Sequence, residues 1–201
     1  MNKITVGIIT ALIMASSVFT GQAAASTVLY YTSSEDSWVG QGETATITPS
    51  QGFTFLISRN YDQGVSFWID NFATSPNPSL YQWWHVDFAA PYEALIQAGH
   101  YAGATRFAFQ DPSEPGLDFG GNGRGNNTLL GYFDVYEAVY GMDGGVLSFA
   151  ADFVQYDSGN EDAWSMGSVR YNSDYPIPEP STIMLLLAGL PLLGLKAKLN
   201  R

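Results

Sequence analysis

The stretch GYFDVYEAVYGMDGGVLSFAADFVQY, residues 131–156, contains two runs of aromatic and branched residues on either side of a glycine-rich break. Aromatic and branched side chains alternate with other residues in the first run, which is the period of a β-strand with one face in a core. This alternation places Phe133 and Glu137 on the same face. The break contains Asp143-Gly144, and an Asp-Gly pair between such runs is typical of a tight hairpin turn. The stretch therefore predicts two antiparallel strands.

Similar short runs recur towards both ends of the chain, broken every eight to twelve residues by Gly, Asn, Asp, Pro or Ser. Regularly spaced short strands with such turns are typical of an antiparallel sandwich or jelly roll. The one helix we predict is a turn or two in PYEALIQAG, residues 91–99, which begins with proline and ends with glycine. We predict an all-β domain, an antiparallel β-sandwich or jelly roll, over residues 26–176.

Composition limits what this domain can do. The chain has no cysteine, so its stability depends on packing and not on disulfides. Residues 26–176 contain eighteen carboxylates, four arginines and no lysine, a net charge of −14. Such a charge repels nucleic acid and anionic membrane surfaces, and nucleic acid is therefore excluded as a partner. It suits a soluble extracellular protein or one that holds divalent cations.

The first 25 residues have the three parts of a secretory signal peptide. Lys3 supplies a positive start, ITVGIITALIMASSVF is apolar, and Ala23 and Ala25 form a small-residue cleavage site before Ser26. An uncleaved anchor helix is the alternative, which the short apolar run and the cleavage site disfavour. We predict that signal peptidase removes residues 1–25.

Residues 177–201 also have three parts. A proline-flanked tripeptide comes first, namely Pro178, Glu179 and Pro180. Fifteen residues without charge follow, 181–195, which is marginal for a spanning helix because about 17–25 residues are usual. A basic cluster ends the chain, namely Lys196, Lys198 and Arg201. Under the positive-inside rule this stop-transfer cluster stays in the cytoplasm and the body lies outside. A buried terminal strand or helix is the alternative, but the run lacks the polar positions of an amphipathic element.

The tripeptide, the apolar run and the basic end together resemble the PEP-CTERM sorting signal of exported proteins. The resemblance implies a Gram-negative bacterium that makes exopolysaccharide and biofilm. It implies that the transmembrane helix anchors the chain transiently in the inner membrane until an exosortase cuts near the tripeptide. The product would reach the cell surface or the extracellular matrix.

The segment from residue 115 to 173 is similar to a recurrent domain of exported bacterial proteins that has no assigned function. That domain carries G-R-G-C-N, G-x-F-x-V, F-A-x-D-F-x-Q-H-C and I-R-Y-N patterns. Shared positions are Gly123, Arg124, Gly125, Asn127, Gly131, Phe133, Val135, Phe149, Ala150, Asp152, Phe153, Gln155, Arg170, Tyr171 and Asn172. Asn126 and Asp157 replace the two cysteines. If those cysteines pair in the domain, the resemblance implies a polar contact between Asn126 and Asp157.

The run YQWWHVDF supplies the first candidate site. Strand alternation places Trp83, His85 and Asp87 on one face, where an aromatic ring can stack on a sugar and polar groups can bind its hydroxyls. The alternative is an ordinary cross-strand ladder without a ligand. We predict that the other tryptophans outside this run, Trp38, Trp68 and Trp164, lie in the core.

The run DFGGNGRGNN is the second candidate. Its oxygen or guanidinium side chains are Asp118, Asn122, Arg124, Asn126 and Asn127. Hard oxygen ligands of this kind favour calcium, but their spacing fits no ligand template and an arginine lies among them. The other interpretation is a structural turn in which Arg124 folds back on a carboxylate such as Asp152. No other cofactor is expected.

Catalytic signatures are missing from the sequence, which has two histidines and neither a G-x-S-x-G nor an H-E-x-x-H motif. We therefore predict a non-catalytic surface or matrix protein that binds exopolysaccharide. Two alternatives stay open. One is a glycan hydrolase or lyase that uses a pair of the eighteen carboxylates, and the other is a purely structural matrix component.

Overall fold

The computed structural model describes residues 25–177. Most of the signal peptide prediction, with Ala23, lies outside the described residues, as do the sorting residues Pro178, Glu179, Pro180, Lys196, Lys198 and Arg201. Over the part of the chain that is described, no helix has the length and apolarity to span a membrane.

Ten strands form the domain: β1 Ser26–Ser33, β2 Thr44–Ile47, β3 Thr54–Arg59, β4 Val65–Asp70, β5 Trp83–Ala89, β6 Gly99–Arg106, β7 Gly116–Gly121, β8 Leu129–Tyr140, β9 Val146–Asp157 and β10 Trp164–Ser173. Three single-turn 3₁₀ helices connect them: Pro49–Gln51, Pro78–Leu80 and Pro91–Glu93. The prediction of an all-β domain is confirmed over the described residues. The helix predicted from Pro91 stops after one turn, because Tyr92 and Glu93 have positive φ angles of 60° and 51°.

The strands form one curled sheet in the order β2-β1-β10-β9-β8-β6-β7-β5-β4-β3. Neighbouring strands are antiparallel except β6 and β7, which run parallel over Thr105 and Arg106. β6 also pairs with β8, so it joins the half formed by β3, β4, β5 and β7 to the half formed by β1, β2, β8, β9 and β10.

The core lies between the two halves. Phe88 of β5 packs on Phe133, Phe149 and Phe153 of the other half, with ring centroids 5.1, 5.6 and 6.1 Å apart. These rings are almost completely buried. Burial of aromatic side chains of this size removes a large apolar area from water and holds the halves together.

The predicted hairpin is β8–β9, and its turn is at Asp143-Gly144, where Gly144 has a φ of 80°. The prediction that Glu137 shares a face with Phe133 is wrong. A β-bulge shifts the register between these strands. Val135 pairs with Ala151, but Glu137, two residues further along β8, pairs with Ala150, only one residue away on β9. Glu137 therefore lies on the outer face, where the hydroxyls of Ser148 and Ser173 donate to its carboxylate.

Candidate functional site

The three candidate residues of β5 share one face of this strand, as predicted. It is the outer face of the half formed by β3, β4, β5 and β7. Trp83, His85 and Asp87 are half-buried, while Trp84 and Val86 between them are buried in the core. The strand positions the three side chains because successive residues point to opposite faces and the apolar set enters the core.

The prediction that the remaining tryptophans lie in the core is wrong. Trp38 is 57% exposed, Trp68 is 39% exposed, and Trp164 is half-buried. In β4 the core face is occupied by Phe67 and Ile69, so Trp68 must point outwards. The alternation in VSFWID carries this signal, and we missed it.

Trp68 extends the predicted face into a stack of three rings. Its ring lies on that of Trp83 with centroids 5.0 Å apart and planes at 11°. Trp83 lies in turn on His85, at 6.0 Å and 18°. Asp70 fixes the outermost ring by accepting a hydrogen bond from Trp68 Nε1 at 2.9 Å. The stack therefore presents an ordered aromatic surface.

A groove of about 390 Å³ runs beside this stack. The outer-face side chains that line it are Leu56, Ser58, Ser66, Trp68, His85 and Asp87. The groove combines the exposed ring of Trp68 and the aliphatic side chain of Leu56 with hydroxyl, imidazole and carboxylate groups. Such a mixture of apolar surface and a few polar groups is typical of small-ligand sites.

Asp87 is the acidic group of the groove. Burial raises the pKa of its carboxyl to about 6, although the Ser66 hydroxyl that donates to it and the nearby His85 act in the opposite direction. Asp118 lies directly across from it on β7 and adds to the rise by repulsion. A carboxyl of this kind changes charge close to neutral pH.

His85 lies near two carboxylates. Burial opposes its positive charge, but Asp118 and Asp87 favour that charge more strongly, so the pKa of His85 is raised. The distance from His85 Nε2 to Asp118 Oδ1 is 3.8 Å. Gly120 allows the imidazole to lie across β7, since a Cβ at this position would come within 2.6 Å of the ring.

Asp118 is incompletely paired for a buried carboxylate. Its Oδ2 lies 3.6 Å from Nε of Arg106. Within residues 25–177, neither Asp118 Oδ1 nor Arg106 Nε has a hydrogen-bond partner. Buried polar groups are usually satisfied, so this corner of the site has unused bonding capacity.

The second candidate run is a structural turn, as one of the two interpretations predicted. Gly121 and Arg124 exchange backbone hydrogen bonds of 2.9 Å around Asn122-Gly123, whose φ angles are 51° and 79°. Both angles fit a two-residue hairpin turn with positive φ at each position, which Asn-Gly favours.

The predicted contact between Arg124 and Asp152 is wrong. Arg124 Nε donates to the backbone oxygen of Val39 at 2.9 Å. Asp152 is bound instead by Arg170, from the neighbouring strand β10 and the same face.

The three asparagines of this run have separate partners. Asn122 Oδ1 accepts a hydrogen bond from the backbone N–H of Trp83 at 2.9 Å, and the backbone oxygen of Asn127 accepts one from the side chain of Arg106. Asn126 donates to Asp157 at 2.6 Å in a buried contact, as the resemblance implied. No group of three or more His, Cys, Asp or Glu within residues 25–177 is placed to hold a metal ion. Calcium binding stays a prediction.

A second charged cluster, the Arg170 cluster, lies on the outer face of the other half. Arg170 is completely buried, and its five N–H groups donate to the oxygens of Ala151, Asp152, Val169, Tyr175 and Pro176 at 2.8–3.1 Å. Tyr175 also stacks on Tyr136 with centroids 4.3 Å apart. The cluster attaches the last described residues to the sheet.

Comparison with protein-family models, with curated proteins and with solved structures gives no match for this chain.

Proposed function

We propose that this chain is an exported surface or matrix protein that binds exopolysaccharide through the groove. The observation that carries the proposal is the stack of Trp68, Trp83 and His85 beside that groove. Sugar rings have apolar faces that pack on aromatic rings and hydroxyls that bind polar groups at the edge. Ser66 and Asp87 supply such groups within the same groove. A flat polar sheet would favour a purely structural matrix component instead.

The delivery of this domain follows from the two ends of the chain. In the proposal, residues 26–176 form a β-sandwich that leaves the cytoplasm behind a signal peptide. Residues 177–201 act as a PEP-CTERM signal that anchors it in the inner membrane until an exosortase releases it. Mass spectrometry of the exported protein tests this part: we expect an N-terminus at Ser26 and loss of the apolar run. An intact 201-residue chain in the cytosol contradicts it.

Polysaccharide pull-down with the exported protein tests the binding function. Trp68→Ala and Trp83→Ala should each reduce retention on matrix polysaccharide by about tenfold, since one stacked aromatic contact contributes roughly 1–1.5 kcal/mol. Trp38→Ala is the matched control, because Trp38 is exposed and its backbone lies near Asp157, which is in another part of the domain. Equal retention of all three variants and the parent protein would overturn the groove as the binding site.

A glycan hydrolase or lyase is the second candidate, and one observation favours it. Asp87 has a pKa of about 6 and faces Asp118 across two paired strands. Two carboxyl groups on one face can serve as acid and base in glycoside cleavage. New reducing or unsaturated ends that appear with the parent protein, and disappear with Asp87→Asn while binding persists, would establish the enzyme. Binding without new ends supports the non-catalytic proposal.

A further inference from the structure

We infer that the groove selects glycans that carry free amino groups over neutral and anionic glycans. This inference rests on the proposed glycan-binding function and adds the class of ligand. The occupant is a polymer of amino sugars whose amines are not acetylated.

The charges around the groove favour a cation. Asp87 lines it, Asp118 lies one strand further, and Asp70 holds the ring of Trp68. No described lining residue is a lysine or arginine. The positive groups beside these three carboxylates are the imidazole of His85, which lines the groove and is charged when protonated, and Arg106, which lies 3.6 Å from Asp118. Because residues 26–176 also carry a net charge of −14, a uronate or sulfated glycan would be repelled both on approach and in the groove.

Burial of Asp87 under a ligand favours an amine over a hydroxyl. A sugar that covers the groove removes the remaining water from this carboxylate, and a buried charge is costly unless it is paired. Ser66 already supplies one hydroxyl donor. An ammonium group would supply a charge-assisted hydrogen bond, which is roughly twice as strong as a neutral one.

The ring of Trp68 offers a second contact that favours a positively charged amine. Tryptophan faces attract cations within about 6 Å, and the attraction grows as water is excluded. Trp68 and Asp87 both line the groove, on neighbouring strands β4 and β5. One amino sugar can therefore use the ring and the carboxylate together.

Calorimetric titration of the exported protein with oligosaccharides of equal length tests the inference. We compare β-1,4-linked glucosamine, its fully N-acetylated form, and an oligouronate. The glucosamine oligomer should bind about tenfold or more tightly than the acetylated one, and the oligouronate should not bind detectably. Equal or tighter binding of the acetylated oligomer or the oligouronate overturns the inference.

A charge-matched pair of variants separates groove binding from general attraction to an acidic protein. Asp87→Asn and Asp36→Asn each remove one negative charge, but Asp36 is exposed and is not among the groove-lining residues. Asp87→Asn should remove most of the tenfold preference for the amine, and Asp36→Asn should leave it. Equal losses in the two variants would overturn the inference.

The two proposals fail in different ways. Binding of a neutral glycan that depends on Trp68 but not on Asp87 would keep the proposed function and reject amine selection. Failure of every glycan to bind would reject both.

Discussion

The Arg170 cluster and the Arg106–Asp118 pair next to the groove both place an arginine near an aspartate, yet the two differ in completeness. Arg170 is fully buried, lies 2.9 Å from Asp152, and uses all five donors. Arg106 is 31% exposed at its side chain, lies 3.6 Å from Asp118, and has no hydrogen-bond partner for Nε among the residues that the structure describes. A complete buried network stabilises the fold, while buried polar atoms that lack a partner reduce that stabilisation.

The largest expected effect is on the complete cluster. Arg170→Ala should lower the free energy of unfolding by about 3–5 kcal/mol, because it leaves Asp152 and several backbone oxygens without their buried partner. Urea unfolding followed by tryptophan fluorescence measures the change. Arg59→Ala is the control, since Arg59 binds the exposed side chain of Gln63, and we expect a loss below about 1 kcal/mol. A loss of the same size in both variants would show that the complete buried network of Arg170 contributes no more than an exposed contact.

The C-terminal boundary of the domain gives the next largest effect. A chain that stops after Asp174 lacks the backbone oxygens of Tyr175 and Pro176, so the buried Arg170 loses two acceptors and the tyrosine stack. We expect it to be less stable by about 2–3 kcal/mol than a chain that stops after Ile177. Thermal unfolding of the two truncated chains compares them directly. Identical midpoints would show that the attachment of Tyr175 and Pro176 contributes nothing.

The sequence predicted the groove only in part, because its patterns report on neighbouring residues and not on which strands pair with each other. Alternation within one strand placed Trp83, His85 and Asp87 together, since this depends on neighbouring residues alone. The same rule applied to VSFWID would have found Trp68. Asp118 could not be placed beside Asp87 because that requires the pairing of β5 with β7, which skips β6.

Errors elsewhere have the same origin. The partner of Asp152 is Arg170 and not Arg124, because the order β10-β9-β8 brings Arg170 onto the same face. The misplaced Glu137 follows a bulge, and a strand pattern read residue by residue has no signal for an inserted position. The parallel pairing of β6 with β7 likewise depends on the path of the whole sheet.

The raised pKa of Asp87 predicts that a substitution in the groove increases the stability of the domain, the opposite of the effect expected for Arg170→Ala. Asp87→Asn should stabilise the domain by about 1–2 kcal/mol at pH 8, because the charged form of this buried carboxyl is disfavoured. The folded pKa of about 6 exceeds the ordinary value of 3.8, so the folded state binds the proton more tightly. Stability of the parent protein therefore falls as the pH rises through this window.

Urea unfolding at about pH 4 and pH 8 measures the change. The raised pKa of His85 acts in the same direction, since protonation of that ring is favoured in the folded state and is lost as the pH rises. The gain from Asp87→Asn should be much smaller at pH 4, where the folded carboxyl is protonated and roughly half of the unfolded carboxyl is protonated as well. A variant that is less stable than the parent at pH 8 would show that charged Asp87 is well paired and that the groove is already complete.

The smallest expected effect comes from a pair with good geometry and little burial. His100 Nδ1 and Asp134 Oδ1 are 2.7 Å apart, closer than the 2.9 Å between Arg170 and Asp152, but their side chains are 58% and 34% exposed. Water competes for both groups and the side chains lose freedom when they pair, so exposed pairs contribute about 0–1 kcal/mol. His100→Gln should therefore change the free energy of unfolding by less than about 0.5 kcal/mol in low salt at neutral pH. A loss of free energy of unfolding as large as that of Arg170→Ala would contradict this prediction. It would show that contact distance decides which charged pairs stabilise this sheet, whether or not they are buried and completely paired.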